Sequence, residues 1–148
     1  MNGVPNGNVL QGRTAIITGA SQGLGLAIAM RYVAAGASVI ICARDEGMLS
    51  EAADVLKRSA SNDQVISHIV ADVAESESVD VLIDFAIDKM GRIDILVNNA
   101  GIYGPKGTTD SVDWVQWVQA INVNLLGSVL MCRAVAGFEV KGPEILKE

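Results

Sequence analysis

Thr14-Ala15-Ile16-Ile17-Thr18-Gly19-Ala20-Ser21-Gln22-Gly23-Leu24-Gly25-Leu26-Ala27-Ile28-Ala29 decides how this chain is read. A short apolar run stops at Gly19, a glycine-rich turn follows, and apolar residues then recur at a spacing of three to four. That is a buried strand, a turn and the start of a helix. Glycines let the backbone take positive φ and let a ligand approach with no Cβ in the way. A new helix offers unpaired N–H groups and the positive end of its dipole to an anion. Taken alone, the turn fits a tight βα connection without ligand equally well.

The rest of the chain is organised to match. Its 148 residues suffice for one domain with a core. Half are apolar, 15 are glycine and 19% are charged, which suits buried parallel strands. The net charge of −6 and the absence of a basic cluster speak against nucleic acid and against a polybasic membrane contact. The apolar runs read as shorter than a membrane span. Residues 1–11 are polar, uncharged and rich in Asn and Gly; they read as a flexible lead-in without a secretory pattern. Cys42 and Cys132 read as small buried apolar residues. No disulfide framework or metal set is visible, so a reducing cytoplasm is expected.

Strands are expected at Thr14–Thr18, Ser38–Ala43, Val65–Val70 and Ile93–Val97, with helices at about 23–35, 45–59, 76–90 and 111–136. The last helix carries a stripe of Trp114, Trp117, Val118, Ile121, Leu125, Val129 and Cys132. His68, the only histidine, lies in the third strand and reads as a solvent-edge or hydrogen-bond-satisfied residue rather than a catalyst. The order β-α-β-α-β-α-β-α predicts an α/β fold: a Rossmann-type doubly wound parallel sheet, strand order 3-2-1-4. The ligand crevice then lies beside strands one and four. The glycine turn and Asn98-Asn99-Ala100-Gly101 both end at that point, and this convergence favours a nucleotide site.

At these residues the chain resembles the short-chain dehydrogenase/reductase family, nearest to its 3-oxoacyl-(acyl-carrier-protein) reductases. Thr18-Gly19-Ala20-Ser21-Gln22-Gly23-Leu24-Gly25 resembles the family's Thr-Gly-x-x-x-Gly-x-Gly cofactor motif, and Asn98-Asn99-Ala100-Gly101 its Asn-Asn-Ala-Gly motif. Asp72-Val73 falls at the adenine-contacting position. Asn124-Leu125-Leu126-Gly127 falls at the segment whose Asn belongs to the catalytic set. The likeness runs from about Gln11 to Ala136. It implies a dinucleotide-binding domain over 12–136, with a divergent tail at 137–148.

The resemblance implies a nicotinamide dinucleotide held by Gly19, Ser21, Gln22, Gly23, Leu24, Gly25, Arg44, Asp72, Val73, Asn99, Ala100 and Gly101. Gly19 allows the tight turn; Gly23 and Gly25 admit the pyrophosphate. Ser21 offers a hydroxyl to phosphate or caps the helix. Asp72 accepts from the adenine amino group or caps the third helix. Asn98 ties strand four to its neighbours. An NAD-reading site has an acid after strand two. Here Ala43 is followed by Arg44, whose guanidinium suits a phosphate, so NADP(H) is favoured over NAD(H). Against this, Gln22 is neutral where some relatives are basic. Asp45 is the alternative ribose-binding acid, and Arg44 as a plain surface charge is the bland reading.

The family's chemistry is hydride transfer between nicotinamide and a small carbonyl or alcohol. It uses a Ser, a Tyr and a Lys four positions after that Tyr. Tyr32 is followed at that spacing by Gly36 and Tyr103 by Gly107. Of the catalytic set only Asn124 is matched. The chain is therefore expected to be an amino-terminal portion, truncated after helix four, that binds cofactor without turning substrate over. The alternative is a non-catalytic dinucleotide-binding or interaction module. A P-loop nucleotidase is discounted because the turn lacks its Lys. Self-association is expected through helix four or the open edge of strand four.

Overall fold

The computed structural model describes residues 8–139. Four strands, β1 (Thr14–Thr18), β2 (Ser38–Ala43), β3 (Ile66–Val70) and β4 (Ile95–Val97), form one sheet. All pairings are parallel and the order is β3-β2-β1-β4, as the alternation predicts. The helices between them are α1 (Gly23–Ala34), α2 (Glu46–Ser59) and α3 (Ser76–Met90). After β4 come α4 (Trp114–Ile121), a π turn over Asn122–Leu126, and α5 (Gly127–Glu139).

The two faces of the sheet carry separate cores. Ala15, Ile17, Val39 and Ile41 pack under α1 and α2 against Val33, Leu49 and Leu56. Ile16, Ile40 and Cys42 pack under α3 and α5 against Leu82, Ile83 and Met131. Alternate residues of one strand therefore serve opposite cores, which is why β1 and the middle of β2 are apolar without interruption.

At the amino-terminal end of the sheet, Asp94 joins β4 to β1. Its Oδ2 accepts the Thr14 N–H at 2.9 Å and the Thr14 hydroxyl at 3.0 Å. Its Oδ1 pairs with Arg13 at 3.3 Å and with Arg92. Burial pushes this carboxyl up, but the Thr14 N–H and hydroxyl and the Arg92 guanidinium outweigh it and hold it below the usual carboxylate range. Asp94→Ala should cost about 1.5–2 kcal/mol at neutral pH, the scale of hydrogen bonds to a charged group. The folded pKa lies below the unfolded one. The contribution is therefore complete above pH ~4 and lost as pH falls through the folded value. Urea unfolding should show wild type and variant converging below pH ~4; a gap that persists there would refute the assignment.

Several expectations are corrected. Strand β4 is shorter than 93–97, although Asp94 continues its pairing through an N–H to the Thr14 carbonyl at 3.0 Å. Residues 1–7 of the expected lead-in lie outside the described residues, as do residues 140–148 of the tail. Within the lead-in, Leu10 donates to the Ala35 carbonyl at 2.9 Å and packs on the core, so its described end is held. Helix α5 passes Ala136 and takes in 137–139 of the tail.

The apolar stripe of the last helix points outward. Trp114 is 72% and Leu125 59% exposed, Val129 is exposed too, and Cys132, expected to be buried, is exposed with them. Ala120, Val123, Gly127 and Met131 are the buried set. A Cβ on Gly127 would lie 2.8 Å from Val73 Cγ2, so small residues let this helix sit close. The helical run Trp114–Phe138 is also long and apolar enough, by length and composition, to cross a membrane, contrary to the reading that all apolar runs are too short.

Candidate nucleotide site

The site forms where β1 and β4 end side by side. Thr18, 1% exposed, closes β1; its Oγ1 accepts the N–H groups of both Asn99 and Ala100 at 3.0 Å. Asn99 Nδ2 returns to the carbonyls of Thr18 at 3.0 Å and Gly19 at 2.9 Å. The turn after β1 and the turn after β4 are thus one hydrogen-bonded unit. Asn99 makes the tie expected of Asn98. The Asn98 side chain instead reaches α5, at 3.4 Å from the Ser128 carbonyl and from Cys132 Sγ.

The three glycines of the turn do different work. Gly19 has φ +63°, and a Cβ there would fall 2.7 Å from Ala100 Cα. Gly25 is buried, and a Cβ there would fall 2.4 Å from the Gly19 carbonyl oxygen and 2.5 Å from Asn99 Nδ2. It serves the packing of α1 against the turn. Gly23 has φ +58° and nothing within 4 Å of its Cβ position, so it faces open space. Helix α1 starts after Gln22, which makes no side-chain cap, and Ser21 does not act as the cap either. Its first N–H groups are left to an outside acceptor.

Two adjoining clefts open at this end of the sheet. The first, of about 270 Å³, is lined by Gly19, Ser21, Gln22, Arg44, Asp72, Val73, Ala100 and Gly101, and also by Asp45, Met48, Ala71 and Ile102. The second contains Gly19, Leu24, Asn99, Gly101, Ile102, Tyr103 and Asn124. Most of the expected cofactor residues are therefore brought together, while Gly23 and Gly25 line neither cleft. Met48, Ala71, Ile102 and Tyr103 were missed. Ala71, Ile102 and Tyr103 lie in the loops that leave β3 and β4, a position that was the available signal, whereas Met48 lies in the first turn of α2 and had none. Cys42 lies at the first cleft; burial pushes its thiol up to about 12, leaving it neutral.

Arg44 follows β2 directly. Its Nη1 stands 3.9 Å from Asp72 Oδ2. Asp45 is the N-cap of α2, its Oδ1 accepting the Met48 N–H at 2.8 Å. Asp72 does not cap α3, whose N-cap is Glu75. Its Oδ1 accepts the Ala74 N–H at 3.0 Å. Asn124, within the π turn, clasps Ile102: Oδ1 accepts the Ile102 N–H at 2.8 Å and Nδ2 donates to the Ile102 carbonyl at 2.9 Å. Among the described residues no group of His, Cys, Asp and Glu is placed to hold a metal ion.

A family model described as short chain dehydrogenase matches residues 13–143. An uncharacterized oxidoreductase of Mycobacterium bovis is 40% identical over 121 residues, covering 82% of this chain and 47% of the relative. The 1-deoxy-11-beta-hydroxypentalenate dehydrogenase of Streptomyces exfoliatus is 37% identical, covering 84% of this chain and 45% of the relative. Among solved structures, an actinorhodin polyketide ketoreductase variant with NADPH superposes with TM-score 0.78 at 30% identity, over 83% of this chain and 46% of that one. A short chain dehydrogenase/reductase from Burkholderia phymatum in complex with NAD gives TM-score 0.80 at 30% identity, over 87% and 44%. The chain spans about half the length of the curated relatives it matches.

Proposed function

The chain belongs to the short-chain dehydrogenase family of oxidoreductases, and from that premise we propose that its two clefts bind NADP(H) in preference to NAD(H). The observation that carries this reading is the end of β2. Arg44 and Asp45 both line the first cleft, but Asp45, the alternative reader of ribose hydroxyls, has Oδ1 committed to capping α2, whereas the Arg44 guanidinium is held only by a 3.9 Å ion pair. Arginine matches a phosphate in charge and geometry. The uncapped start of α1 and the open space over Gly23 fit a pyrophosphate. Asp72, Val73, Ala100 and Gly101 line the same cleft; in this reading the first two meet the adenine and the last two the ribose.

When bound, the nicotinamide dinucleotide supplies or accepts a hydride; a small carbonyl or alcohol is the proposed substrate of the whole protein. The chain itself is read as binding without turnover, because neither Tyr32 nor Tyr103 has a Lys at the family's spacing. Asn124 supports the site by holding the loop at Ile102. The same reading includes a cytoplasmic setting, supported by two free cysteines. It also includes self-association, through the outward apolar stripe of α4 and α5 or the edge of β4.

Titration with each reduced nucleotide, followed by its fluorescence, tests the cofactor reading. NADPH should bind tighter than NADH. Arg44→Ala should weaken NADPH about tenfold, the scale of one charge-assisted contact, and leave NADH nearly unchanged. Equal binding of the two nucleotides by the wild-type protein would overturn it.

A further inference from the structure

Arg44 does not stand alone in the first cleft. Parallel pairing sets Ala43 opposite Val70, and the Ala71 N–H reaches the Ala43 carbonyl at 3.0 Å. The chain therefore leaves β2 and β3 side by side, with Arg44 on one exit and Asp72 on the other. Asp72 is fixed at side chain and backbone: its Oδ1 accepts the Ala74 N–H, and its own N–H donates to Ser78 Oγ at 3.0 Å. Its second oxygen, Oδ2, is the one turned to Arg44. Among the described residues, Asp72 is the only acid within ion-pair distance of that guanidinium.

At 3.9 Å the pair is a charge interaction rather than a close hydrogen bond, and both side chains are partly exposed. Arg44 is thus neutralised in part yet free to turn to a better anion. We propose that Asp72 restrains selectivity: by sharing the charge of Arg44 it holds down the preference for a 2′-phosphorylated dinucleotide over an unphosphorylated one. This rests on Arg44 reading the 2′-phosphate. Two effects act with the same sign. A phosphate must compete with Asp72 for the guanidinium, and a dianion beside Arg44 lies within a Debye length of a fixed carboxylate. Any contact of Asp72 with the adenine is common to both nucleotides and cancels in the ratio of their affinities.

The test is that ratio, NADPH against NADH, in the wild-type chain, Asp72→Asn, Arg44→Ala and the double variant. Asn keeps an acceptor for the Ala74 N–H, so the turn survives; Asp72→Ser, which also keeps a short acceptor, is the second variant. Asp72→Asn should raise the ratio about threefold, as loss of one partly exposed charge would. In the Arg44→Ala background the same change should be smaller, because the two residues act on one phosphate. A ratio that stays level or falls in Asp72→Asn, with Arg44→Ala still lowering it, overturns the proposal and leaves the reading of Arg44 intact. An effect of equal size in both backgrounds overturns it too, since Asp72 would then act without Arg44. If Arg44→Ala alone leaves the ratio unchanged, the reading of Arg44 itself has failed.

Discussion

Gly25→Ala is expected to lower stability by about 3 kcal/mol or more and to abolish nucleotide binding. The added methyl would sit 2.4 Å from the Gly19 oxygen and 2.9 Å from Ala20 Cα. Both are backbone atoms, which cannot swing away as the tip of a flexible side chain can. Overpacking of this kind lies at the upper end of its usual range, about 3 kcal/mol. To relieve it, α1 must move off the turn, and the open space over Gly23 is then lost. Gly23→Ala is the control. Its methyl meets nothing within 4 Å, so only the strain of a left-handed φ remains, about 1–2 kcal/mol. Urea unfolding of the two variants compares them directly. If Gly25→Ala is no worse than Gly23→Ala, the close approach at Gly25 is not what holds the turn.

Thr18→Val should cost about 2–4 kcal/mol, although valine has nearly the same shape. The hydroxyl, on a residue that is itself 1% exposed, is the acceptor for two backbone N–H groups, those of the half-buried Asn99 and Ala100. Each buried N–H left without a partner costs about 1–3 kcal/mol. Thr18→Ser should recover most of that, because it keeps the oxygen and loses only one methyl, about 1 kcal/mol. Faster amide exchange at Asn99 and Ala100 in the valine variant, with the serine variant close to wild type, would confirm the mechanism. Equal stability of valine and serine variants would refute it.

Much of this architecture was legible because parallel strands covered on both faces are written as uninterrupted apolar runs. Ser38–Ala43 is the plain case. The turn residues between them fall where the chain must reverse. The stripe on the last helix faces outward, and Cys132 with it, for a physical reason. Large apolar residues usually mark the buried face, but here Ala120, Val123, Gly127 and Met131 point inward, with close approach to Val73 requiring a glycine at 127, while Trp114, Leu125 and Val129 point outward. The π turn at Asn122–Leu126 also breaks the period of 3.6 that projects a stripe through the whole helix. The exchange of roles between Asn98 and Asn99 had no local signal. Two identical residues end a strand, and only the third dimension shows which one faces Gly19. The same holds for Asp45: its use as a cap follows from where α2 begins, a boundary that sequence places only to within a residue or two.

The bond from Asn99 Nδ2 to the Gly19 carbonyl spans 80 positions of chain. Closing a loop of that size carries an entropic cost that no local propensity offsets. The turn beside α1 therefore acquires its working shape only when β4 has docked against β1, at the end of the sheet's assembly rather than with its first strand. Nucleotide binding in a refolding experiment would then report long-range closure, lagging behind the helical signal of α1 and α2. A ligand that binds only the closed form also pulls folding forward by mass action. The cofactor, on this view, is a selector of completed molecules as well as a reagent.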